Sequence, residues 1–394
     1  MRVLKVIHGF PPDYMAGSEV YSYNLVRSLA KRTEAFHVFT RVENDFASPY
    51  QTYDEIIEGF HVYRVNKPKR DYYYEEKFED ASIEKLFENY VLKINPDIIH
   101  FGHLSHLSTN LITIARKKFQ LPVIYTIHDF WLHCVKGQLI DKNNNRCSGP
   151  SPQKCHECSP YFTSVNRVAS KLEHMKNIMN FINVFLVPSH TVRNFFISQG
   201  IPKNKLIYSK YGFNNDFIQF RKRSYKNSCK VRFGFMGRII PTKGIHVLVK
   251  AFEKIDVELL VYGDVGIQKR FLEKSNIIFK GGYDNQNLNE IFDNIDVLIV
   301  PSIWLENSPL VIQEAFLAGV PVITSDIGGM KELVKEGVNG YLFSVGDPNA
   351  LKKIVLNIHQ NPEILNKLNI SKSDVRTIDA DADFILSTYL KLLC

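Results

Sequence analysis

Two glutamates separated by seven residues are the feature of this chain that most directly suggests chemistry. Glu306 and Glu314 lie within residues 304–315, with Ser308 and Pro309 between them. Serine at an N-cap and proline in the first turn predict a helix that begins at Ser308 and Pro309. The free N–H groups of a helix N-terminus favour an anion, and the two carboxylates beside it suit sugar hydroxyls. The pair also fits a solvated loop residue and an ordinary surface helix position.

A glycine and two cations form a second candidate, within residues 235–244. Gly237 permits a close approach of a ligand to the backbone. Arg238 and Lys243 would bring two positive charges to the end of a predicted strand, as the neutralisation of a diphosphate requires. The spacing is not that of a Walker A loop, because no Gly-Lys-Ser/Thr sequence closes it. A solvated basic loop is the competing interpretation.

Two segments in the first half of the chain also end predicted strands. Residues 10–19 form a loop that contains Gly17 and precedes a predicted helix, so it could offer backbone N–H groups to phosphate. Residues 126–129 contain His128, which could bond a sugar hydroxyl or act in catalysis. From its own surroundings in the sequence, His128 fits a structural histidine equally well.

The apolar pattern indicates which elements hold these segments. Strand-like runs alternate with helical periodicity, which predicts a mostly parallel sheet covered on both faces. A polar interval at residues 214–230 breaks the alternation and predicts a linker. We therefore predict an α/β chain with two doubly wound domains, residues 1–213 and 231–378, and a final helix at 379–394 that packs back on the first domain. Ligands would bind at the carboxyl ends of the strands, in the cleft between the domains.

Length and composition limit the possible classes of protein. At about 150 residues per domain, 394 residues suggest two or three domains. A hydrophobic content of 45% and a charged content of 23% exclude a largely disordered chain. No apolar run approaches the roughly 20 residues of a spanning helix, and the N-terminus lacks a signal-peptide pattern. We expect a cytoplasmic protein.

The positive charge is unevenly distributed. Residues 1–215 contain 27 basic and 20 acidic residues, a net charge of +7, and the remainder contains 22 and 21, a net charge of +1. An excess in one half suggests that this half meets an anionic partner such as a lipid phosphate or a membrane surface. Scattered solubilising lysines are the alternative explanation.

Five motifs lie along the chain, namely Phe10-Pro11-Pro12 with Gly17 and Glu19, His128-Asp129, Gly237-Arg238 with Lys243-Gly244, Glu306 with Glu314, and Gly328-Gly329 with Glu332-Leu333-Val334. Together they resemble the motifs of the retaining glycosyltransferases of family 4, which have the GT-B fold of two Rossmann-like domains facing a cleft. The resemblance runs from about residue 3 to about residue 351 and is stronger in the second half. It implies an enzyme that uses a nucleotide diphosphate sugar as donor.

The resemblance also implies roles for individual residues. Arg238 and Lys243 would hold the diphosphate of the donor near Gly237, and Glu314 would bind the ribose hydroxyls. Gly17 would place an N–H group on the diphosphate from across the cleft. The transferred sugar and its phosphate would be bound by Glu306 and by backbone groups of Asn307, Ser308, Pro309 and Leu310. The catalytic candidates are His128, facing the donor sugar near the reacting carbon, with Glu306, Arg238 and Lys243.

Two positions depart from the family pattern. Ala16-Gly17 stands where Gly-Gly is common, and Tyr211-Gly212 stands where Asn-Gly is common. No Asp-x-Asp triplet lies beside a predicted strand end, because the triplets of residues 379–383 are near the C-terminus. We therefore predict catalysis without a divalent metal cofactor. Fixed cations and a helix N-terminus would stabilise the departing diphosphate instead.

Four of the six cysteines fall in one insertion at about residues 131–160. They are Cys134, Cys147, Cys155 and Cys158. With no export signal, metal ligation is favoured over disulfides. The Cys-x-x-Cys pair with the two earlier cysteines predicts a structural zinc site of four thiolates. Free thiols and an iron–sulfur cluster are the alternatives.

The leading hypothesis is transfer of a hexose-type sugar from a UDP- or GDP-sugar to a lipid-linked or polysaccharide acceptor in cell-surface glycan biosynthesis. A peripheral contact with anionic lipid at the inner membrane face would use Lys67, Lys69, Arg70, Tyr72, Tyr73 and Tyr74, which also fit a solvated loop. Other functions to consider are a nucleotide-sugar epimerase, a phosphorylase and a non-catalytic nucleotide-sugar-binding protein. Nucleic acid is not an expected partner, because no nucleic-acid-binding module is recognisable.

Overall fold

The computed structural model describes residues 1–68, 77–159, 164–214, 217–228, 230–264 and 276–394. Over these residues the strands form two sheets, and each half of the chain supplies one of them. Both sheets are mainly parallel and helices connect their strands, so the predicted α/β class with two doubly wound sheets is confirmed.

The first sheet has eight strands within the described part of the chain. They are β1 (Arg2–Val6), β2 (Ala35–Val42), β3 (Thr52–Ile57), β4 (Phe60–Asn66), β5 (Ile98–Phe101), β6 (Val123–Thr126), β7 (Val184–Val187) and β8 (Leu206–Tyr208). Their order is β3-β4-β2-β1-β5-β6-β7-β8, and only the edge pair β3 and β4 is antiparallel. This hairpin was not predicted, because Asp54, Glu55 and Ile56 are all exposed on β3, which gives no apolar alternation.

The helices of the first half cover this sheet. They are α1 (Gly17–Ala30), α2 (Ala81–Ile94), α3 (Asn110–Thr113), α4 (Pro152–Cys158), α5 (Val165–Asn180) and α6 (His190–Ser198). Helix α1 buries Tyr21, Leu25 and Leu29, which recur every four residues and therefore share one face. The side chain of Asp80 caps α2 by accepting hydrogen bonds from backbone N–H groups of its first turn.

The second sheet is parallel throughout its described strands. They are β9 (Phe233–Met236), β10 (Leu259–Tyr262), β11 (Ile277–Gly281), β12 (Val297–Val300), β13 (Val322–Ser325) and β14 (Gly340–Phe343), in the order β11-β10-β9-β12-β13-β14. The helices are α7 (Ile245–Ala251), α8 (Leu288–Asp293), α9 (Leu310–Leu317), α10 (Met330–Leu333), α11 (Pro348–Gln360) and α12 (Ile378–Leu393). Because β9 pairs with β12, the loops that follow these two strands leave the same edge of the sheet.

The last helix belongs spatially to the first half of the chain. In α12, Asp379 accepts a hydrogen bond of 2.6 Å from Ser28 of α1. Tyr389 is fully buried, and its hydroxyl lies 2.6 Å from Nδ1 of His100 at β5. The chain therefore crosses between its two halves twice.

Candidate active site

The carboxylate of Glu306 is held by three donors. Its Oε1 atom accepts hydrogen bonds from Lys243 Nζ at 2.5 Å, Ser302 Oγ at 2.8 Å and Trp304 Nε1 at 2.9 Å. Glu306 is only 5% exposed. The alternative interpretation of Glu306 as a solvated loop residue is therefore wrong. The structure also unites two of the candidate motifs, since Lys243 follows β9 and Glu306 follows β12.

Glycines make this close approach possible. Gly244 has φ 75°, and a Cβ atom there would lie 1.8 Å from the carbonyl oxygen of Pro301. Gly329 is equally confined, because its Cβ would lie 1.7 Å from the carbonyl oxygen of Asn307. The N–H group of Gly329 donates a 2.7 Å hydrogen bond to the Glu306 carbonyl oxygen. Larger residues at either position would push the Glu306 loop away from Lys243.

Two helix N-termini without side-chain caps meet beside this pair. Helix α9 begins at Leu310, with Pro309 at the N-cap, and helix α1 begins at Gly17. A Cβ atom on Gly17 would lie 3.5 Å from the Leu310 side chain, so the two helix ends face each other across the cleft. The positive ends of two helix dipoles thus point to one region, where an anion would be favoured.

The predicted start of α9 was wrong by about one residue. Ser308 does not cap the helix, because its hydroxyl accepts a 3.1 Å hydrogen bond from Gln313 Nε2. Pro309 occupies the N-cap position instead. The consequence is that no serine hydroxyl competes for the N–H groups of the first turn.

Glu314 lies in the second turn of α9 and is half-buried. No described residue provides it with a hydrogen bond, and burial raises the pKa of its carboxyl from 4.5 to about 7. It lines a cavity of about 50 Å³ together with Val20, Asn24 and Leu310. A carboxylate that lacks a protein partner beside two helix ends is suited to accept hydrogen bonds from a ligand. Arg238 is exposed at the neighbouring edge.

His128 lies at the end of β6, on the other side of the cleft. Its Nδ1 atom is 2.6 Å from the Tyr211 hydroxyl, and its Nε2 atom is buried with no partner among the described residues. Burial, with help from the nearby charges of Lys5, His103 and His8, holds the pKa of His128 well below 6.5. The imidazole is therefore neutral at physiological pH.

The first turn of α1 contains a second buried ionisable group, Glu19, for which no role was predicted. Glu19 is 3% exposed, and its carboxylate lies 3.1 Å from His8 Nε2 and accepts a 2.7 Å hydrogen bond from Ser18. Burial opposes ionisation, but the hydrogen bonds from His8 and Ser18 outweigh it and lower the pKa of Glu19 to about 2. His8 in turn packs against His103, whose Nε2 is 3.1 Å from Asp129.

Side chains of the second half hold the first half directly. Asn307 donates a 2.6 Å hydrogen bond to the carbonyl oxygen of Ile127, the residue before His128, and accepts one of 2.9 Å from Ser189. Glu332 accepts two backbone hydrogen bonds of 2.7 Å from His190 and Thr191, at the N-terminus of α6. No sequence pattern indicated these contacts, because their partners are more than 100 residues apart.

A cavity beside these contacts is lined by residues that include Asn307, Gly329 and Glu332. Its volume is about 420 Å³, and its lining includes Tyr208, Lys210, Gln313 and Lys335. Neither Lys243 nor Glu306 lines it. The paired loops and helix ends, rather than this cavity, therefore define the candidate active site.

Two other predicted sites have different outcomes. Lys67 is 4% exposed and pairs with Asp80 at 2.6 Å, so including it in a membrane-facing patch was wrong. The other residues of that patch, 69–70 and 72–74, lie outside the described residues.

In the ranges that the structure describes, no group of three or more His, Cys, Asp or Glu side chains is arranged to hold a metal ion. The zinc site stays a prediction. No helix in those ranges is long and apolar enough to cross a bilayer.

Models of known protein families match both halves of the chain. The family model described as Glycosyltransferase Family 4 matches residues 15–209, and the model described as Glycosyl transferases group 1 matches residues 216–372. This chain belongs to glycosyltransferase family 4. The resemblance in its motifs and its GT-B fold are both confirmed, and this glycosyltransferase is an enzyme that uses nucleotide sugar donors.

Solved structures and a relative extend the comparison. Sucrose-phosphate synthase from Thermosynechococcus elongatus has a TM-score of 0.74 at 18% identity, covering 99% of this glycosyltransferase and 98% of that chain. HepE of Anabaena, in complex with UDP and glucose, has a TM-score of 0.67 at 17% identity, covering 98% of each chain. A 41.2 kDa protein in the cps region of Klebsiella pneumoniae is 30% identical over 169 residues, which are 40% of this chain and 47% of that protein.

Proposed function

We propose that this glycosyltransferase moves a hexose-type sugar from a UDP- or GDP-sugar to a lipid-linked or polysaccharide acceptor, with retention of configuration. The observation that carries the proposal is the Glu306–Lys243 pair, 2.5 Å apart beside the two uncapped N-termini of α1 and α9. This arrangement supports a dianionic leaving group, because one ammonium and two helix dipoles lie in the same region.

The leaving diphosphate would be stabilised by two cations at this edge of the cleft. Lys243 would turn from Glu306 toward the phosphates, and Arg238, which is exposed at the same edge, would add the second cation. Released from Lys243, the Glu306 carboxylate would accept hydrogen bonds from hydroxyls of the transferred sugar. Groups that need little reorganisation lower the barrier most effectively. With Lys243 and Arg238 on the phosphates and Glu306 on the sugar, the diphosphate would need no divalent cation.

Retention would follow if the acceptor attacks from the face that the diphosphate leaves, with a phosphate oxygen taking the acceptor proton. A neutral His128 suits hydrogen bonding to the sugar rather than charge stabilisation. If the Tyr211 hydroxyl donates to Nδ1, the ring proton lies on Nε2, which would then donate to a sugar hydroxyl. Glu314 would accept hydrogen bonds from the ribose hydroxyls.

The acceptor is proposed from charge and from one relative. Residues 1–215 carry a net charge of +7, which suits an acceptor with phosphate at an anionic membrane surface. The relative in the cps region of Klebsiella pneumoniae supports a role in surface polysaccharide synthesis. Co-sedimentation with anionic vesicles tests the membrane contact, and binding that does not respond to salt would argue against it.

Two measurements test the donor and the reaction. A thermal-shift series with UDP, GDP and their sugars should show stabilisation by one nucleotide and its sugar, since a ligand of the native state raises stability by mass action. Radiolabelled donor with lipid-linked acceptor should then give an α-linked product from an α-linked donor, without added Mg²⁺ or Mn²⁺. An epimerised nucleotide sugar, or donor binding without transfer to any acceptor, would overturn the proposal.

A further inference from the structure

A polar cavity lies where the two halves of the chain meet, outside the paired loops of the candidate active site. Its volume is about 420 Å³, and neither Lys243 nor Glu306 lines it. The wall combines Pro188 and Lys210 of the first half with residues within 307–339 and 369–374 of the second. Small-molecule sites span roughly 300–1,000 Å³, so this volume suits a ligand smaller than a nucleotide sugar.

Two lysines, one from each half, line this cavity. Lys335 is exposed, and no described residue pairs with its ammonium group. The Lys210 ammonium donates one hydrogen bond, to the carbonyl oxygen of Asp374, which leaves two N–H groups for a ligand. Burial lowers the pKa of Lys210, and the carboxylate of Asp374 opposes that change. The positive charges of Lys335 and Arg376 lower the pKa further, so an anion between the two lysines would relieve their repulsion.

The carboxylates in the wall do not take the place of that anion. Glu332 accepts hydrogen bonds from the N–H groups of His190 and Thr191 and one of 2.6 Å from the Thr191 hydroxyl, so three donors already meet its charge. Asp374 is exposed to solvent, which screens its charge. The two lysine ammonium groups are therefore available to a ligand.

A buried amide in the same wall has one atom without a partner. Gln313 of α9 is 1% exposed, and its Nε2 donates to Ser308 while its Oε1 has no partner among the described residues. Exchanging the two amide atoms would instead leave Nε2 without an acceptor. Either orientation suits a ligand hydroxyl, which can donate or accept. Phe316, Leu333 and Val338 also line the cavity and offer apolar surface to the C–H groups of a sugar ring.

We propose that this cavity binds a phosphorylated monosaccharide, with the phosphate between Lys210 and Lys335 and a sugar hydroxyl on the Gln313 amide. A phosphate monoester carries a charge of about −1.5 to −2 at pH 7, which matches two ammonium groups. The site is separate from the residues proposed to hold the donor phosphates, so it does not depend on the proposed sugar transfer.

A ligand in this cavity would connect the two halves of the enzyme. Lys210 and Lys335 come from different halves, so binding to both requires the halves to be as close as they are in this structure. The wall also contains Asn307, whose side chain holds the carbonyl oxygen of Ile127, the residue before His128. The bound sugar phosphate would therefore favour the arrangement in which the two sides of the active site meet.

Isothermal titration calorimetry of the full-length protein tests the site. The probes are glucose 1-phosphate and glucose 6-phosphate, compared with glucose and inorganic phosphate, each with and without an excess of UDP and GDP. We expect one sugar phosphate per chain, bound about tenfold or more tightly than glucose or inorganic phosphate, whether or not nucleotide is present. No binding, or binding that the nucleotides abolish, would overturn the proposal. Equal affinity for inorganic phosphate would overturn the assignment of a sugar.

Variants show whether the probe occupies this cavity. Lys335→Met should weaken sugar phosphate binding about tenfold or more, since it removes one of two cations at an exposed position where folding does not depend on it. Lys331→Met, exposed on α10 and absent from the wall, is the matched control, and equal affinities in these two variants would place the ligand elsewhere. Gln313→Met should reduce the preference for a sugar phosphate over inorganic phosphate. An unchanged preference would remove Gln313 from the site.

Limited proteolysis tests the connection between the halves. Saturating sugar phosphate should slow cleavage within residues 217–228 about threefold or more in the wild type, because cleavage follows the population in which the halves separate. The same concentration should give less protection in Lys335→Met. Cleavage that does not change when the ligand is bound would show that the ligand does not connect the two halves.

Discussion

The hydroxyl of Tyr211 lies 2.6 Å from Nδ1 of His128, which joins the last segment of the first domain to the end of β6. The Tyr211 ring stacks on Tyr21 of α1 with ring centres 4.0 Å apart. The Tyr21 hydroxyl donates a 2.8 Å hydrogen bond to Asp381 of α12, which also accepts the N–H of Gly212 at 3.0 Å. The orientation of His128 therefore depends on the C-terminal helix.

Replacing Tyr211 by phenylalanine should lower kcat about 10- to 100-fold while the KM for the nucleotide sugar changes little. The variant keeps the ring that stacks on Tyr21 but leaves Nδ1 of His128 without its partner, so the ring tautomer is no longer fixed. Steady-state kinetics with the preferred donor measure the effect. Tyr208→Phe, at a tyrosine that is 38% exposed, is the control, and an unchanged kcat in Tyr211→Phe would dismiss this positioning role.

The Glu306–Lys243 pair should behave as a coupled unit. Lys243→Met leaves a buried carboxylate with two neutral donors, and we expect it to lower the free energy of unfolding by about 1–3 kcal/mol. Adding Glu306→Gln should recover part of that loss, because the uncompensated charge is removed. Urea unfolding of both single variants and the double variant measures the coupling.

The same variants separate stability from donor binding. Lys243→Met and the double variant should both bind the nucleotide diphosphate about 10- to 100-fold more weakly, since each lacks the cation that meets the phosphates. Lys250→Met, at an exposed position of α7, should match the wild type in stability and binding. Strictly additive stability losses, or normal nucleotide binding by Lys243→Met, would contradict the proposal that Lys243 moves from Glu306 to the phosphates of the donor.

Glu314 should make stability depend on pH. Its pKa is raised from 4.5 to about 7, so folding favours the protonated form. That contribution is fully present below about pH 4.5 and is lost as the pH rises through about 7. Relative to Glu314→Gln, the wild type should therefore lose thermal stability between about pH 5 and about pH 8. Scanning calorimetry across this range measures the difference, and parallel curves would exclude a raised pKa.

Nucleotide binding should release a proton from the carboxyl group of Glu314. Ribose hydroxyls donate to the ionised carboxylate, so a bound nucleotide should lower the pKa of Glu314. Near about pH 6, the calorimetric binding heat of the wild type should vary with the ionisation enthalpy of the buffer, and that of Glu314→Gln should not. Identical buffer dependence in both proteins would place the ribose elsewhere.

The contact of Glu332 with α6 should limit separation of the two domains. Glu332→Gln replaces an ionised acceptor of two backbone N–H groups by a neutral one, with an expected loss of about 1 kcal/mol. We expect a larger radius of gyration by small-angle scattering and faster cleavage near residues 214–230. Glu363→Gln, an exposed carboxylate, serves as control. Indistinguishable scattering from the two variants would mean that Glu332 does not restrain the domains.

The elements that could be predicted are those whose structure depends on residues close to them along the chain. Strands such as β12, buried over its whole length, read as uninterrupted apolar runs, so the order of strands and helices could be predicted. The helix start at Ser308 was misplaced because the hydroxyl bonds Gln313, a partner that an N-cap preference does not consider. Lys5 is fully buried in β1, although a lysine in an apolar run predicts an exposed position.

Long-range contacts account for most of what could not be predicted in the site. Asn307 was singled out for its backbone, but its side chain bonds Ile127 in the other domain. The partners of Tyr211 are Tyr21 of α1 and His128 after β6, and no local pattern connects these segments. The existence of α1 could be predicted, because helical periodicity depends only on positions within the helix.

The double crossing of the chain determines how the cleft can open. The two crossing segments hydrogen-bond to each other, with the Phe213 N–H donating to the Arg376 carbonyl oxygen at 2.9 Å and the Ile378 N–H donating to the Phe213 carbonyl oxygen at 2.7 Å. Two adjacent connections resist twisting of one domain relative to the other but still allow bending. The domains would therefore open and close by a hinge rotation, without a twist about the axis that joins them. Tyr211 and Gly212 directly precede Phe213, the residue that takes part in both of these hydrogen bonds. Closure on a donor would therefore act mechanically on the residue that orients His128.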